Sequence, residues 1–352
     1  MSLSGTKYES TTPTATGGTC IVRSALQVDP VLREFWWGNM LELGWNRSIY
    51  DLQSYLDSTR SRGFLLAYER EDGPPRGHVM AAVFDNGTAW IAMFIMAADL
   101  RRSGFGRVLF QAAEEDYRRL QTTYVGLDGV QEQIPTYQRR GFQPSKLGTV
   151  KVMSRAFTSK TPLPSVTVPR GMVIKDAKEV DLSWIVAFEK AVTGFERSGL
   201  WTTSFFARPD LKAVVLIDES KTGLESIVGF SMVRRCPSGA RFSPLYARDE
   251  QCAEFLMAHT LTLATPEFVR RCPLPQVEMS DWSEADISEK ASITTEVWTG
   301  NATALPLFEK YGWREDGVEY ARMWLNGKAT PEQSEGGAAH STMFAIFDAA
   351  IG

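Results

Sequence analysis

Two hydrophobic periods alternate along the chain, and their order outlines a fold. Apolar residues recur every three to four positions from Pro30 to Leu43, which predicts a helix with Pro30 in its first turn. A strand is expected before it at Cys20 to Leu26, and a second short helix after it around Tyr50 to Arg60. Three β-like runs follow, Gly63 to Glu69, His78 to Phe84 and Ala89 to Met96, divided by Asp72-Gly73-Pro74-Pro75 and Asp85-Asn86-Gly87. Turn residues between short apolar runs predict an antiparallel meander. Helical spacing returns from Arg107 to Leu120, followed by a strand at Thr123 to Leu127, a helix ending at Arg140-Gly141 and a strand near Thr149 to Ser154.

The second half gives the same series again. Strand Met172 to Ile174, helix Asp181 to Ala191, helix Leu200 to Ala207 and strands Ala213 to Ile217, Ser226 to Val233 and Arg241 to Tyr246 come first. A helix from Asp249, a strand Gln276 to Met279, a helix Ala302 to Tyr311 and a strand Tyr320 to Trp324 complete it. Tyr137-Gln138-Arg139-Arg140-Gly141-Phe142 in one half answers Phe308-Glu309-Lys310-Tyr311-Gly312-Trp313 in the other, so the pattern reads as an internal duplication. The fold class is α+β: two tandem domains, each a mostly antiparallel mixed sheet flanked by helices. The boundaries predicted are a disordered tail over 1–19, a first domain over 20–156 and a Pro-rich linker over 157–170. A second domain over 171–325 and a C-terminal tail over 326–352 follow; the tail is flexible to Ser341 and apolar enough beyond it to dock a final element.

Composition narrows the function classes. At 352 residues the chain suits two domains, and a 43% hydrophobic, 23% charged composition is that of ordinary globular proteins. No apolar run is long enough to span a bilayer, and the first twenty residues lack the regions of a signal peptide, so a cytoplasmic protein with no membrane partner is expected. Cys20, Cys236, Cys252 and Cys272 are too scattered, with only three histidines, to predict a metal site. A formal charge of −4 argues against a nucleic-acid partner.

The densest chemical signal is the loop Arg101-Arg102-Ser103-Gly104-Phe105-Gly106 between an apolar strand and an amphipathic helix. Two glycines there let the backbone turn sharply, while the first amides of the new helix are left unpaired and attract anions. Arg101, Arg102 and Arg107 add positive charge suited to a pyrophosphate. A dinucleotide fingerprint is excluded because Leu109 stands where its third Gly belongs, and a Walker loop because no G-K-[S/T] is present.

Arg101-x-x-Gly104-x-Gly106, with Tyr137-x-x-x-Gly141-Phe142 at the spacing of one domain, resembles the acyl-CoA loop and later helix end of the GNAT superfamily of N-acyltransferases. The Gly44-Trp45-Asn46 turn, Asp51, Phe195-Glu196-Arg197, Ser243-Pro244-Leu245-Tyr246 and Asn301-Ala302-Thr303-Ala304 resemble a narrower group, two-domain GNAT proteins typified by bacterial YitH, whose second repeat is diverged. The second repeat has Ala247-Arg248-Asp249-Glu250-Gln251 in place of the loop, and Asp249 and Glu250 would repel a pyrophosphate. One acyl-CoA site, in the first domain, is therefore expected.

The resemblance implies acetyl-CoA as co-substrate without a metal, a direct attack of a primary amine on the thioester, and roles for particular residues. Tyr137 is the candidate proton donor to the sulfur; its counterpart Phe308 has no hydroxyl. The backbone N–H groups of Ile95 and Met96 are placed at the oxyanion, beside a β-bulge. The strand Trp90 to Met96 carries no titratable side chain, so Asp128 is the nearest candidate base, with Glu132 and His78 as alternatives. Trp45, Asn46 and Glu196 are the candidate acceptor residues. A small-molecule amine is the expected acceptor; a protein lysine, or a regulatory acyl-CoA binder without catalysis, are the alternatives.

Overall fold

The computed structural model describes residues 7–158, 161, 163 and 167–352. The first repeat runs β1 (Glu9–Pro13), β2 (Thr19–Ala25), α1 (Pro30–Glu42), α2 (Asp51–Asp57), β3 (Phe64–Tyr68), β4 (Gly77–Val83) and β5 (Thr88–Met96). It continues through α3 (Phe105–Arg119), β6 (Tyr124–Val130), α4 (Ile134–Gln138), β7 (Phe142–Pro144) and β8 (Val150–Ala156). Helix α1 begins where the Asp29 carboxylate accepts from Leu32 N at 2.8 Å, satisfying an amide that the first turn leaves free. Its Leu32, Trp36 and Met40 are buried at helical spacing on the sheet, each indole or aliphatic chain contributing roughly 1.5–3 kcal/mol.

The second repeat runs β9 (Met172–Asp176), α5 (Leu182–Thr193), α6 (Thr203–Phe206), β10 (Leu211–Asp218), β11 (Ile227–Cys236) and β12 (Gly239–Ala247). After it come α7 (Glu250–Leu263), α8 (Pro266–Arg271), α9 (Glu284–Lys290), β13 (Ser292–Trp298), α10 (Ala304–Lys310) and β14 (Arg314–Leu325), then α11 (Ala339–Thr342) and β15 (Met343–Ala345). The strand expected at Gln276 to Met279 is absent. Gln276 has φ +57 and residues 278–281 form a single 3-10 turn, whereas the β-branched Ile293-Thr294-Thr295 run makes the true strand β13.

All strands join one sheet in the order β1-β2-β3-β4-β5-β6-β14-β8-β13-β15-β12-β11-β10-β9, with β7 on β14. The linker expected at 157–170 lies partly outside the described residues, and the last strands of the two repeats are exchanged. Strand β14 pairs with β6 (Arg322 opposite Asp128) and with β7, while β8 runs the length of β13 from Ser292↔Ala156 to Trp298↔Val150. One face carries α1, α2, α5 and α6 over a core shared by both repeats, which includes Trp36, Trp90, Trp201 and Phe230. On the other, α3 covers the first half, and α7 with α10 the second.

Both ends of the chain depart from expectation. Residues 9–13 pair with β2 and residues 14–18 form the hairpin turn, closed by Thr14 N to Gly18 O at 2.8 Å; residues 1–6 of the expected tail lie outside the described residues. A polar composition does not preclude an edge strand, half of whose side chains face water; the burial of β1 alternates accordingly. In the C-terminal tail, Thr330, Gln333 and Ala339 are buried, so the segment expected to be flexible is packed. The docking of its apolar end is specific: β15 enters the sheet, and Asp348 is fully buried between the repeats.

Candidate active site

Strands β5 and β6 pair in parallel over only three residues, Thr88–Trp90 against Tyr124–Gly126, and then diverge. On its other side β5 is bulged against β4: His78 faces Ile95, but Met80 faces Ala92, and the extra residue gives Met93 φ +54. The divergence and the bulge together open a V in the sheet that faces the end of β5. A cavity of about 110 Å³ occupies it, lined by residues 91–94 of β5, Asp128 and Val130 of β6, Tyr137 of α4, and Trp45. The C-terminal half closes it with Tyr320 of β14 and Ala349 and Ala350 of the tail.

At the mouth of the V lies the glycine loop. Gly104 is in the left-handed region (φ +95) and starts α3, with its carbonyl accepting from Arg107 and Val108 N. The amides of Gly104, Phe105 and Gly106 have no acceptor among the described residues, which leaves an anion seat at a helix start. Arg101, Arg102 and Arg107 are exposed around it, and a surface hollow of about 530 Å³ lined by Arg107, Arg139 and Arg140 continues between α3 and α4. The β1–β2 turn braces the loop, Thr16 Oγ1 donating to Ser103 O at 2.8 Å.

The side chains named from the sequence separate into two groups. Trp45, Asp128 and Tyr137 meet at the cavity. Tyr137 is half-buried against Phe110, and burial pushes its phenol up to about 12, against a small opposing effect of Arg140, so it stays protonated. Asn46 is elsewhere: it donates to Thr294 Oγ1 at 2.7 Å and accepts from Ser238 N at 2.9 Å, fastening the repeats together. Glu196 does not line the cavity but pairs with Lys190 at the surface, and its neighbour Arg197 is buried against Glu189. Ile95 and Met96 lie beyond the bulge, paired with His78 and Gly77, and the cavity wall is instead Ala92, Met93 and Phe94. The bulge sits earlier on the strand than expected because the register breaks between His78 and Met80.

Asp128 is at the predicted place but committed. Its two oxygens take the Arg322 fork at 3.0 and 2.7 Å, with both side chains inaccessible to solvent. Burial pushes its carboxyl up, offset in part by Arg322. A proton accepted there would displace one arm of the fork and leave a buried guanidinium uncompensated, a loss on the order of 3–5 kcal/mol. The register makes Glu296 of β13 its counterpart, and Glu296 also holds an arginine, Arg241, at 2.6 Å. A carboxylate–arginine pair at this strand position is thus common to both repeats. Of the alternatives, Glu132 is exposed outside the cavity, and His78 is buried edge-on between Phe35 and Phe64, its pKa pushed down to about 4 by desolvation.

The sequence reading missed the arginines and acids behind the cavity. Arg47 donates to Asp348 at 3.0 and 2.8 Å and lies 3.8 Å from Glu296; Arg234 bridges Asp51 at 2.8 Å and Asp348 at 3.5 Å. These groups come from loops, strands and the start of α2, far apart in the chain, so local spacing carries no sign of their pairing.

The second repeat has the same V and no room in it. Strands β12 and β13 pair over Gly239–Arg241 against Ser292–Thr294 and diverge, and β15 fills the gap, with Ala345 opposite both Leu245 and Val297. Its helix start is closed as well: the Asp249 carboxylate accepts from Cys252 N at 2.8 Å, putting negative charge where Gly104 stands in the first repeat.

Comparison with known proteins agrees with this geometry. Residues 31–142 match the model of the acetyltransferase (GNAT) family and residues 185–284 that of a GNAT acetyltransferase domain. Holothin acyltransferase of Pseudoalteromonas sp. (strain SANK 73390) is 24% identical over 221 residues, 62% of this chain and 67% of the relative. Two solved structures share the fold. One, from Pyrococcus horikoshii and solved as a candidate acetyltransferase, has a TM-score of 0.66 at 18% identity, over 95% of this chain and 96% of its own. The other, a tandem GNAT protein from the clavulanic acid biosynthesis pathway, has a TM-score of 0.57 at 16% identity, over 87% and 98%. With two family models covering more than half of the chain between them, on a fold that carries both repeats, this chain is a tandem GNAT-family acyltransferase.

Proposed function

We propose that the chain transfers an acetyl group from acetyl-CoA to the primary amine of a small molecule, at one site in the first repeat. The observation that carries this reading is the pair of V-shaped clefts, of which the first is open beneath a glycine loop and the second is filled by β15. The residues fit acetyl-CoA: free amides at Gly104, Phe105 and Gly106, with Arg101, Arg102 and Ser103 in the same loop, suit a pyrophosphate, and the splay admits an extended thioester arm. When bound, it supplies an activated acyl carbon. The bulged backbone at Met93 and Phe94 is assigned to the oxyanion in place of Ile95 and Met96. Tyr137 donates a hydrogen bond to the leaving sulfur, for which a protonated phenol is suited.

Enclosure of the cavity by Tyr320, Ala349 and Ala350 favours a small acceptor over a lysine on a protein surface, which needs an open groove. Similarity to holothin acyltransferase, named for a discrete acceptor, supports the same view. The test is CoA release over a panel of amines with the wild-type chain and Tyr137→Phe. The expected result is turnover of small amines with a kcat about 10²-fold lower in the variant. Acetyl-CoA binding without turnover of any amine would refute it in favour of a binding protein.

A further inference from the structure

We infer that the acceptor is an aryl or heteroaryl amine, uncharged at neutral pH, because the described residues that line the cavity offer no uncommitted base and no counter-charge for an ammonium. This rests on the proposed N-acetyl transfer. Four groups facing the cavity can carry charge, namely Arg47, Asp128, Tyr137 and Tyr320. Arg47 is buried and paired with Asp348, and Asp128 is paired with Arg322 through both oxygens. The two phenols are neutral in the physiological range, burial raising both. The rest of the wall is Ile91, Ala92, Met93, Phe94 and Val130 with the tail alanines Ala349 and Ala350, together with Gln133 and with Trp45 over the Arg47 guanidinium.

An alkyl ammonium entering this space would shed its water beside the Arg47 guanidinium and find no free carboxylate. It would then have to lose a proton, since only about one alkyl amine in 2,500 is neutral at pH 7. A weakly basic aromatic amine avoids both costs: it enters neutral, and its ring matches the indole, phenyl and phenol surfaces of Trp45, Phe94 and Tyr320. The step balances without a strong base. The amine nitrogen forms the new C–N bond, the C–S bond breaks, and the proton shed by nitrogen ends on sulfur as the free thiol, for which the Tyr137 hydroxyl on the cavity wall would serve as relay.

The experiment is a kcat/KM series at pH 7 with acetyl-CoA saturating. Anilines and aminoheteroarenes of similar size are compared with alkyl amines, a polyamine and an amino sugar, and acetyl-CoA binding is measured separately by calorimetry. The expected result is a preference of at least about 100-fold for the aromatic amines. Turnover of alkyl amines equal to or above that of the aromatic ones would overturn the inference and leave the transferase reading standing. Acetyl-CoA binding with no amine turned over would remove both, and absence of acetyl-CoA binding would remove the cofactor site as well.

Discussion

Asp348 gives the sharpest test of how the two repeats are joined. Its Oδ1 accepts from Arg47 Nε and Nη2 at 3.0 and 2.8 Å and from Ala350 N at 2.8 Å; its Oδ2 accepts from Tyr55 Oη at 2.9 Å, with Arg234 at 3.5 Å. Desolvation would raise this carboxyl, but Arg47, Arg241 and Arg234 overcome it and hold it well below the usual carboxylate range. Asp348→Asn keeps the shape and removes the charge. It weakens two charge-assisted bonds, each roughly 1.5–3 kcal/mol, and leaves Arg47 with only Glu296 at 3.8 Å, so a loss of about 3–5 kcal/mol is expected. With an unfolding entropy of about 0.7 kcal/mol/K for 352 residues, a loss of 4 kcal/mol lowers Tm by about 5 °C if the chain melts as one unit. Calorimetry reads this directly, and Arg47→Met/Asp348→Leu should recover part of it, because an apolar pair leaves no orphan charge. A shift below about 1 °C for Asp348→Asn would show that this carboxylate does not anchor the tail. The depressed pKa also sets the sign with pH: the contribution is full above about 4 and is lost as the pH falls further.

Three further outcomes follow from the same structure. Gly104→Glu places a side chain at φ +95, where a Cβ would meet Ala15 N at 3.1 Å, and brings a negative charge to the anion seat; acetyl-CoA affinity should fall at least tenfold by calorimetry, and unchanged affinity would mean the site is elsewhere. His78 is buried neutral with a pKa of about 4, so stability is full above about 6.5 and falls by about 3 kcal/mol as pH drops to 4. His78→Phe should flatten that part of the urea-midpoint profile; an unchanged slope would assign it to other groups. Ala345→Asp buries an unpaired carboxylate between β12 and β13 and should cost several kcal/mol in urea unfolding, whereas a harmless substitution would mean β15 is not held in the cleft.

The parts of this molecule that were legible in the sequence are those written in local chemistry. Pro30 and the Trp36, Met40 spacing gave α1, and Gly104 with Gly106 gave the loop, because φ +95 has a residue-type signature. Tyr137, Asp128 and Trp45, each singled out from the sequence, line one cavity, but the commitment of Asp128 was invisible, since its partner Arg322 lies 194 residues away. Glu196 and Asn46 lie away from the cavity, which the sequence could not show for a related reason: a polar residue in a loop reads the same whether it faces a pocket, solvent or the other repeat. The exchange of β8 and β14 leaves no local mark either, because a strand carries the same alternation whichever neighbour it pairs with.

That exchange also bears on how such a chain can evolve. Neither repeat owns a complete sheet: removing the second would strip β14 from between β6 and β7, and with it Tyr320 and Arg322. In the second copy the turn before α7 and the space between β12 and β13 hold Asp249 and β15, while β14 completes the sheet of the first copy. A change in β14 would therefore be felt in both copies, and a change in the turn before α7 in the second alone.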